Sequence, residues 1–583
     1  MKQIKIKNNS LEKGKPYIEQ YLLNNGIKSE DLKKFIDQPD SEDLDNPALL
    51  NNIDIAAKTI VELMNKGVNT FVQVDSDTDG YTSSAMLINY LSRRWPTNNI
   101  VFRIHPDKSH GVVVNTVFEN CDLVIIPDAG SNQIEEHKQL KEMGKTVIVL
   151  DHHIVSRNED TPAIIVNNQI SEKFTNKYLS GAGIVYMLLK YLDKYYPWGQ
   201  YIADDYLDLA AVGIIADAML MTTIGNNYIA YHGLRNIKNP FLKELIKKQE
   251  RGINNPNCLT KTEVAFYIAP VINGCIRSGE QEDKEMLFKA MVSYNNEEVF
   301  ESSWRGVERQ ESLYEYAVRL ATNAKSRQDN YKKKAFNFLC DYININKLNE
   351  HNIIIVPLNN ADSAKVTANL TGLVAMELVK KYNKPVLVLR DTEYEGQTMF
   401  GGSGRNGNFF KIPSLLKTCK QLPVYYAEGH DNAFGIFITP ENIKEVEKYF
   451  DENLTEEDFV DLIEVDYYFQ KNELIDVGML YDIANHDYLW GSGLPQPKLA
   501  FDVHFTSRDI KVMGKDKSSV KIKKDNVDFV LFKDAEFIEE LSKLDNGTLT
   551  IVGRPQINEW MGRVSIQLLI DEIEIIEKQE NLF

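Results

Sequence analysis

"FVQVDSDTDGYTSS" (Phe71–Ser84) decides the reading of this chain. Val72 and Val74 are β-branched and read as a buried strand; Gly80 breaks it, and "SSAMLINYLSRRW" (83–95) has helical spacing. Asp75, Asp77 and Asp79 thus stand where a strand turns into a helix. That carboxyl edge is where open α/β sheets gather ligands. Alternating residues of extended chain point the same way, so the three side chains converge. Converging carboxylates resist joint ionisation unless a cation neutralises them. Taken alone, the stretch reads equally well as an acidic turn, since Asp and Gly are common turn formers. An EF-hand loop opens the same way. Here Met86 stands at the twelfth position, where that loop needs Glu, and no helix precedes the stretch.

Working outward, "NIVFRIH" (99–105), "LVIIPDAG" (123–130) and "TVIVLDHH" (146–153) are further strands alternating with helical segments. The alternation from Thr70 to about Ala218 predicts a parallel sheet of βαβ units. Asp128 ends one of these runs, and Asp151, His152 and His153 end another. Asp217 follows the apolar helical segment "LDLAAVGIIADAM" (207–219). A single Asp at a strand end is more often a cap than a ligand. Four acid or His clusters, three of them at the ends of successive strands, point to a metal centre. Carboxylates with imidazoles suit Mn²⁺, Fe²⁺ or Zn²⁺, and the carboxylate share without thiolate favours Mn²⁺ or Mg²⁺. There are enough ligands for two divalent ions sharing a bridging carboxylate, an arrangement that clamps both oxygens of a phosphoryl displacement at about 3.5–4 Å separation.

The chain has 583 residues, 43% hydrophobic and 26% charged, so roughly two to four domains are expected. No apolar run reaches about 18 residues, so no membrane span is expected. "MKQIKIKNNS" lacks the apolar core of a signal peptide, and the five cysteines are scattered without a C-x-x-C. A cytoplasmic location and no structural zinc follow as expectations. The net charge of −18 argues against a nucleic-acid partner only in bulk, because binding needs a local basic surface. Residues 1 to about 65 read as helices with polar linkers. "WRGVERQESLYEYAVRLATNAKSRQ" (304–328) is the longest helical candidate. A second α/β block runs from about 340 to 455, and alternating short strands beyond 460 have the pattern of a small barrel. The expected fold class is α/β: a parallel-sheet domain over 1–305 with a helical N-terminal extension, a helical connector over 306–338, a second α/β domain over 339–458 and an OB-like β-barrel over 459–583.

"DSDTDG", "PDAG", "DHH" and "GIIAD", in this order, resemble the DHH phosphoesterase superfamily. "SGAGIVYMLLKYL" (180–192), "DLAAVGIIADAM" (208–219) and "YIAPVINGCIRSGE" (267–280) resemble more narrowly RecJ, the single-strand-specific 5′→3′ DNA exonuclease. "GGSGR" (401–405) with "EGHDNAFGIFI" (428–438) resembles its DHHA1 domain. "GSGLPQP" (491–497) and "VGRPQINEWMGRVSIQLLIDEIE" (552–574) resemble its OB-type domain. The resemblance spans nearly the whole chain and implies metal-dependent hydrolysis of single-stranded DNA to 5′-mononucleotides, in repair, recombination or replication. It implies Asp77, Asp79, Asp128, His152 and Asp217 as ligands of two ions, Mn²⁺ ahead of Mg²⁺, with Asp128 bridging. It implies Asp75 and Asp151 as supporting acids and His153 as the contact to the scissile phosphate. Asn273 and Arg277 match the phosphate-contacting stretch. Ser403, Gly404 and Arg405, with His430, match the residues that hold the DNA end. "GGSGR" also reads as a Gly-rich turn whose N–H groups and guanidinium could cradle a phosphate.

Some positions depart from the family pattern. "HPDKSHGVVV" (105–114) offers Lys108 nearest the usual arginine and His110 nearest the usual acid, and lysine does not fork onto phosphate as arginine does. "NNADSAKVTANLTG" replaces a G-W-H stretch, and Val271 replaces an arginine. Outside the centre, "SRDIKVMGKDKSSVKIKK" (507–524) holds seven basic residues against two acids, among them Lys521 and Lys523. It reads as a solvated hairpin or as a backbone track for single strands. Trp560, Phe501 and Phe505 are candidate base-stacking residues, with Phe501 the more natural core residue. Single-stranded DNA is the expected partner, with a single-strand-binding protein or helicase as candidate protein partners and a monomer expected. Two other functions compete: a DHH phosphodiesterase acting on short oligonucleotides or pAp-like compounds, and a non-catalytic DHH scaffold in a replication assembly. The barrel domain argues against the first, and the full set of acids against the second.

Overall fold

The computed structural model describes residues 3–580 apart from 38, 157–159, 305–306, 395, 408, 410, 460–461, 515–516, 533 and 561. The chain forms two compact units. One comprises Leu11–Lys325 and Phe469–Phe583; the other comprises Met1–Ser10 and Ser326–Tyr468.

In the larger unit, five parallel strands lie in the order Ile100–Ile104, Thr70–Val74, Leu123–Pro127, Thr146–Asp151, Ile164–Asn167. Alternate residues enter opposite cores. Val72, Val74, Ile125 and Leu150 pack with Tyr81, Ala85 and Leu188, while Phe71, Val124, Ile126 and Val149 pack on the other face. Burial on both faces is why these strands read as unbroken apolar runs. Thr70–Val74 is the first of these five strands in the chain, and the second and third lie on either side of it. The strand order therefore reverses between Thr70–Val74 and Leu123–Pro127, which is where an open α/β sheet leaves a crevice for ligands.

The helix after the first strand runs from Thr78 to Arg94. Gly80 therefore does not end the strand region, as its turn propensity implied; it sits in the first helical turn. Asp77 is the N-cap, and its carboxylate accepts from the Gly80 N–H at 3.0 Å. A Cβ on Gly80 would lie 2.6 Å from the Asp75 Cβ, so only glycine lets the helix start this close to the strand end. Gly213 plays a similar part in the helix Leu207–Ala216, where a Cβ would lie 2.5 Å from both Ala182 Cβ and Asp79 Oδ1.

The long helical candidate starts later than its sequence implied. Val299–Trp304 and Val307–Ser312 form an antiparallel hairpin, and the helix runs Leu313–Ile345. A reciprocal cap sets its start: the Ser312 N–H donates to Glu315 Oε2 at 2.9 Å, and the Glu315 N–H to Ser312 Oγ at 3.3 Å.

The smaller unit holds a mixed five-stranded sheet in the order Tyr426–His430, Ala433–Ile438, Gln397–Arg405, Val386–Tyr394, Ile354–Leu358; only the last pair is parallel. "GGSGR" is therefore no turn. It lies in the central strand and pairs on both sides, with Val386–Arg390 and with Ala433–Phe437. Its glycines give clearance: a Cβ on Gly402 would lie 2.0 Å from the Val388 carbonyl oxygen, and one on Gly404 would lie 2.5 Å from the Phe434 ring. The N-terminal segment also departs from an all-helical reading, since Gln3–Ile6 is a strand parallel to Leu462–Val465.

The C-terminal region forms a seven-stranded mixed sheet, in which Val527–Phe532 runs parallel to Arg563–Glu580. Its two longest strands are not short: Leu544–Trp560 and Arg563–Glu580 span 17 and 18 residues, with register shifts that bend them. The α/β class with a C-terminal β domain holds. Among the described residues, no helix is long and apolar enough to cross a membrane.

Candidate metal centre

Seven of the eight acids and histidines singled out in the sequence stand at the carboxyl ends of three adjacent strands or in the helical turn that follows; Asp217 caps a helix instead. Three triads each bring their ligand atoms within 4.8 Å of one another: Asp75, Asp77 and Asp128; Asp79, His152 and Asp217; Asp128, His152 and His153. Asp75, Asp79, Asp128 and Asp151 are buried. Asp77 and Asp79 converge with Asp75 through a strand, an N-cap and a helical first turn, rather than through alternation in extended chain.

Each group is aimed by its neighbours. Asp79 accepts from Ser180 Oγ (2.8 Å), Gly181 N–H (2.6 Å) and Ala182 N–H (3.1 Å) at the start of the helix Gly181–Tyr195, where backbone donors and the helix dipole favour an anion. Asp128 adopts left-handed backbone at φ 66°, uncommon for a residue with a Cβ and tolerated best by Asp and Asn. A Cβ on Gly181 would lie 2.4 Å from Asp128 Oδ1, so that glycine leaves room for the carboxylate. Asp151 does not face the triads. Its Oδ1 accepts from the His152 N–H (2.7 Å), the His153 N–H (3.1 Å) and His153 Nδ1 (2.8 Å), and its Oδ2 from the Ser131 N–H (2.9 Å).

His110 and Ser180 were not singled out as site residues. His110 Nδ1 lies 2.7 Å from Asp75 Oδ2, and the Gly111 N–H donates to Asp75 Oδ1 at 3.0 Å. The sequence marked His110 only as a departure from an acid; its partner lies 35 residues away.

Burial and mutual repulsion set the electrostatics. Burial, then the charges of Asp79, Asp77 and Asp75, push the Asp128 carboxyl well above the usual range. Burial and the charges of Asp79 and Asp77 raise Asp217 to about 8, and Asp77 is also raised by burial and by Asp79. Burial alone would raise Asp151, but hydrogen bonds from His153 and Ser131 outweigh it and hold it well below the usual range. The bond to Asp151 carries His153 up to about 9.

This donor set fits divalent ions. Asp128 Oδ1 and Asp217 Oδ2 are buried without a hydrogen-bond partner, although each lies near His152 Nε2, at 3.2 and 3.5 Å. Clustered, partly orphaned carboxylate oxygens beside an imidazole are hard, oxygen-rich ligation of the kind Mn²⁺ and Mg²⁺ accept. A stability consequence follows. A carboxyl with a raised folded pKa binds more protons in the folded than in the unfolded chain, so stability falls by about 1.4 kcal/mol per pH unit for each extra proton. Its contribution to stability is thus fullest below the unfolded carboxyl pKa and is lost as pH climbs to about 8, the Asp217 value. Urea unfolding in EDTA is expected to show this cluster destabilising the protein more at pH 8 than at pH 5. Saturating Mn²⁺ should stabilise it most at pH 8.

The remaining candidates fall in several places. Asn273 Oδ1 accepts from the Thr78 N–H at 3.1 Å, tying the helix Ala269–Ser278 to the first helical turn behind Asp77. Arg277 and Lys108 are exposed; burial and then the Arg277 charge lower the Lys108 ammonium, and Arg277 offsets part of the rise at Asp77. In the smaller unit, Ser403 Oγ lies 2.9 Å from Thr371 Oγ1, and Arg405 Nη1 donates to the Gly404 carbonyl at 2.7 Å. His430 lines a groove of about 420 Å³ with Lys380, Asn406 and Asn432. The backbone of Gly404 is held in the sheet, so a phosphate contact through its N–H does not fit. In the C-terminal sheet, Lys521 pairs with Asp528 at 2.7 Å and Lys523 is exposed. Phe501 and Phe505 are both buried, so neither is placed to stack on a base. The Trp560 side chain and residues 515–516 of the basic segment lie outside the described residues.

Comparison with known proteins gives this geometry a family. Residues 69–214 match the N-terminal domain of the DHH family, and residues 475–572 match the RecJ OB domain. The chain is 34% identical over 573 residues to the putative SPbeta prophage-derived single-strand DNA-specific exonuclease YorK of Bacillus subtilis, covering 96% of each protein. It is 26% identical to the single-stranded-DNA-specific exonuclease RecJ of the same organism, covering 97% of this chain and 68% of that one. The crystal structure of RecJ from Thermus thermophilus with Mn²⁺ superposes with a TM-score of 0.70 at 20% identity, over 98% of this chain and 79% of that one, so the fold is shared. A DHH domain, a RecJ OB domain and a full-length relative of this similarity make the chain a member of the RecJ family of DHH proteins.

Proposed function

We propose that this protein is a metal-dependent exonuclease that hydrolyses single-stranded DNA from its 5′ end and releases 5′-mononucleotides. The observation that carries the reading is the meeting of carboxylates and His152 at the switch point of the parallel sheet, with orphaned oxygens on Asp128 and Asp217. Asp77, Asp79, Asp128, His152 and Asp217 would hold two divalent ions, with Asp75 and Asp151 in support. Bound there, the ions would supply an activated water and neutralise charge on the phosphate oxygens.

The chain's own groups supply the rest. His153, kept cationic at neutral pH by Asp151, offers positive charge and a proton at the edge of the centre. Arg277 adds an exposed cation near Asp77, and Lys108 lies near Arg277, a pair suited to a backbone phosphate. In the reaction, water oxygen adds to phosphorus, the P–O3′ bond breaks, and the leaving 3′-oxygen takes up a proton. Single-stranded DNA as substrate is supported by the names of the relatives and by the OB domain. A monomer working beside a single-strand-binding protein or helicase completes the proposal.

The decisive experiment is product analysis on 5′- and 3′-labelled single- and double-stranded DNA, RNA and pAp, each with Mn²⁺ and with Mg²⁺. Mononucleotides released first from the 3′ end would overturn the polarity. Cleavage confined to pAp or dinucleotides would return the small-substrate reading. End recognition has its own test. A guanidinium grips a terminal phosphate more directionally than an ammonium does. Arg405→Ala is therefore expected to erase the rate difference between 5′-phosphorylated and 5′-hydroxyl strands and to raise KM, with kcat little changed.

A further inference from the structure

Asp217 is the one proposed ligand that no strand end holds. It is the C-cap of the helix Leu207–Ala216, and the chain beyond it makes an unusual turn. The Ala218 N–H donates to the Ile215 carbonyl and the Met219 N–H to the Ile214 carbonyl, both at 3.1 Å, the pair of bonds that closes a Schellman motif. The residue at its left-handed position is usually glycine. Here it is Ala218, at φ 55°. An alanine in that conformation is disfavoured by roughly 1–2 kcal/mol. Something outside the helix must hold the turn next to a metal ligand.

The C-terminal domain supplies it. Ser492 Oγ donates to the Ala218 carbonyl at 2.6 Å, and the Met221 N–H donates to the Ser492 carbonyl at 2.8 Å. The two bonds bracket the turn. The donor sits in a closed loop, where Gly491 and Leu494 exchange backbone hydrogen bonds at 2.9 and 3.1 Å. The loop fits closely against the turn. A Cβ on Gly491 would lie 2.7 Å from Met221 Cγ, and one on Gly493, itself at φ 73°, would lie 2.7 Å from Leu220 Cδ2. The flanks of the loop are anchored as well. Trp490 and Leu494 are buried, and the buried Lys261 ammonium donates to Asn227 Oδ1 (2.7 Å) and to the carbonyls of Tyr488 and Leu489.

We propose that Ser492 and the loop Gly491–Leu494 are positioning elements for Asp217, so that the OB domain sets the metal affinity of the DHH centre in addition to any contact with DNA. The inference rests on reading Asp217 as a metal ligand. Asp217 Oδ2 has no hydrogen-bond partner of its own, so its place depends on the turn that follows it.

The test measures Mn²⁺ affinity without DNA, from the electron paramagnetic resonance signal of free Mn²⁺, in the full chain. Ser492→Ala removes one hydrogen bond and is expected to weaken Mn²⁺ binding about fivefold. Ser492→Thr keeps the hydroxyl and should stay within about twofold of wild type. Gly493→Val should cost more than Ser492→Ala. In all three the Mn²⁺ concentration needed for half-maximal kcat should track the affinity, while KM for a short single strand at saturating Mn²⁺ stays unchanged. Asp217→Asn is the reference. If it keeps wild-type Mn²⁺ affinity, the reading of Asp217 as a ligand fails. If it loses Mn²⁺ but Ser492→Ala binds Mn²⁺ like wild type, the positioning role fails alone. A Ser492→Ala protein that melts lower yet keeps its Mn²⁺ affinity also overturns the proposal.

Discussion

Asp128→Asn is expected to abolish hydrolysis of single-stranded DNA, by more than about a thousandfold, while the protein stays folded and still binds single strands. Loss of a single transition-state donor costs about a hundred- to a thousandfold, and the carboxylate proposed to serve both ions would position two of them at once. Asparagine is the informative substitution because residue 128 sits at φ 66°, a left-handed conformation that Asn adopts at less cost than Ala. The variant should also bind less Mn²⁺ in elemental analysis. In the metal-free state it should melt higher than wild type, because it removes the cost of burying a carboxyl that Asp79, Asp77 and Asp75 hold well above its ordinary pKa. A gain in stability paired with a loss of activity is what a functional charge cluster predicts and what a structural one does not. Activity near wild type would sink the two-ion assignment.

How far the centre could be read from sequence depended on how local its signals are. The ends of "LVIIPDAG" and "TVIVLDHH" were legible because a parallel strand buried on both faces reads as an apolar run, and its carboxyl end is where the run stops. The convergence of Asp75, Asp77 and Asp79 was also legible, but for the wrong geometric reason. Both an extended chain and an N-cap followed by a first turn bring such residues together, and Gly80, a turn former by habit, concealed that the helix had already begun. "GGSGR" misled in the opposite direction. Local glycine content looks like a turn, whereas here the glycines make room for Val388 and Phe434 in a central strand. What the sequence could not show is non-local. Gln3–Ile6 pairs with Leu462–Val465. His110 reaches Asp75. Ser492 reaches Ala218 across 274 residues. No periodicity carries information over such distances.

Removal of His153 is expected to lower kcat by about a hundred- to ten-thousandfold, the range for loss of a positioned acid–base group, with KM for DNA little changed. Its imidazole is more than half exposed, yet one ring nitrogen is fixed: Nδ1 lies 2.8 Å from Asp151 Oδ1. That bond points the other nitrogen away from Asp151, and the Asp128–His152–His153 triad keeps the ring within reach of the metal centre. Asp151 has no other exposed role, being buried and engaged by the His152 and Ser131 N–H groups. Its proposed function is therefore to hold His153 and keep it cationic. Asp151→Asn should lower kcat in the same direction as His153→Ala, because a neutral amide accepts those N–H groups but no longer favours the imidazolium. Residues that act as one unit are strongly non-additive. The double variant should thus lose no more than His153→Ala alone. If the two losses multiply instead, Asp151 acts on the metal centre independently of His153, and it belongs among the ligands rather than behind them.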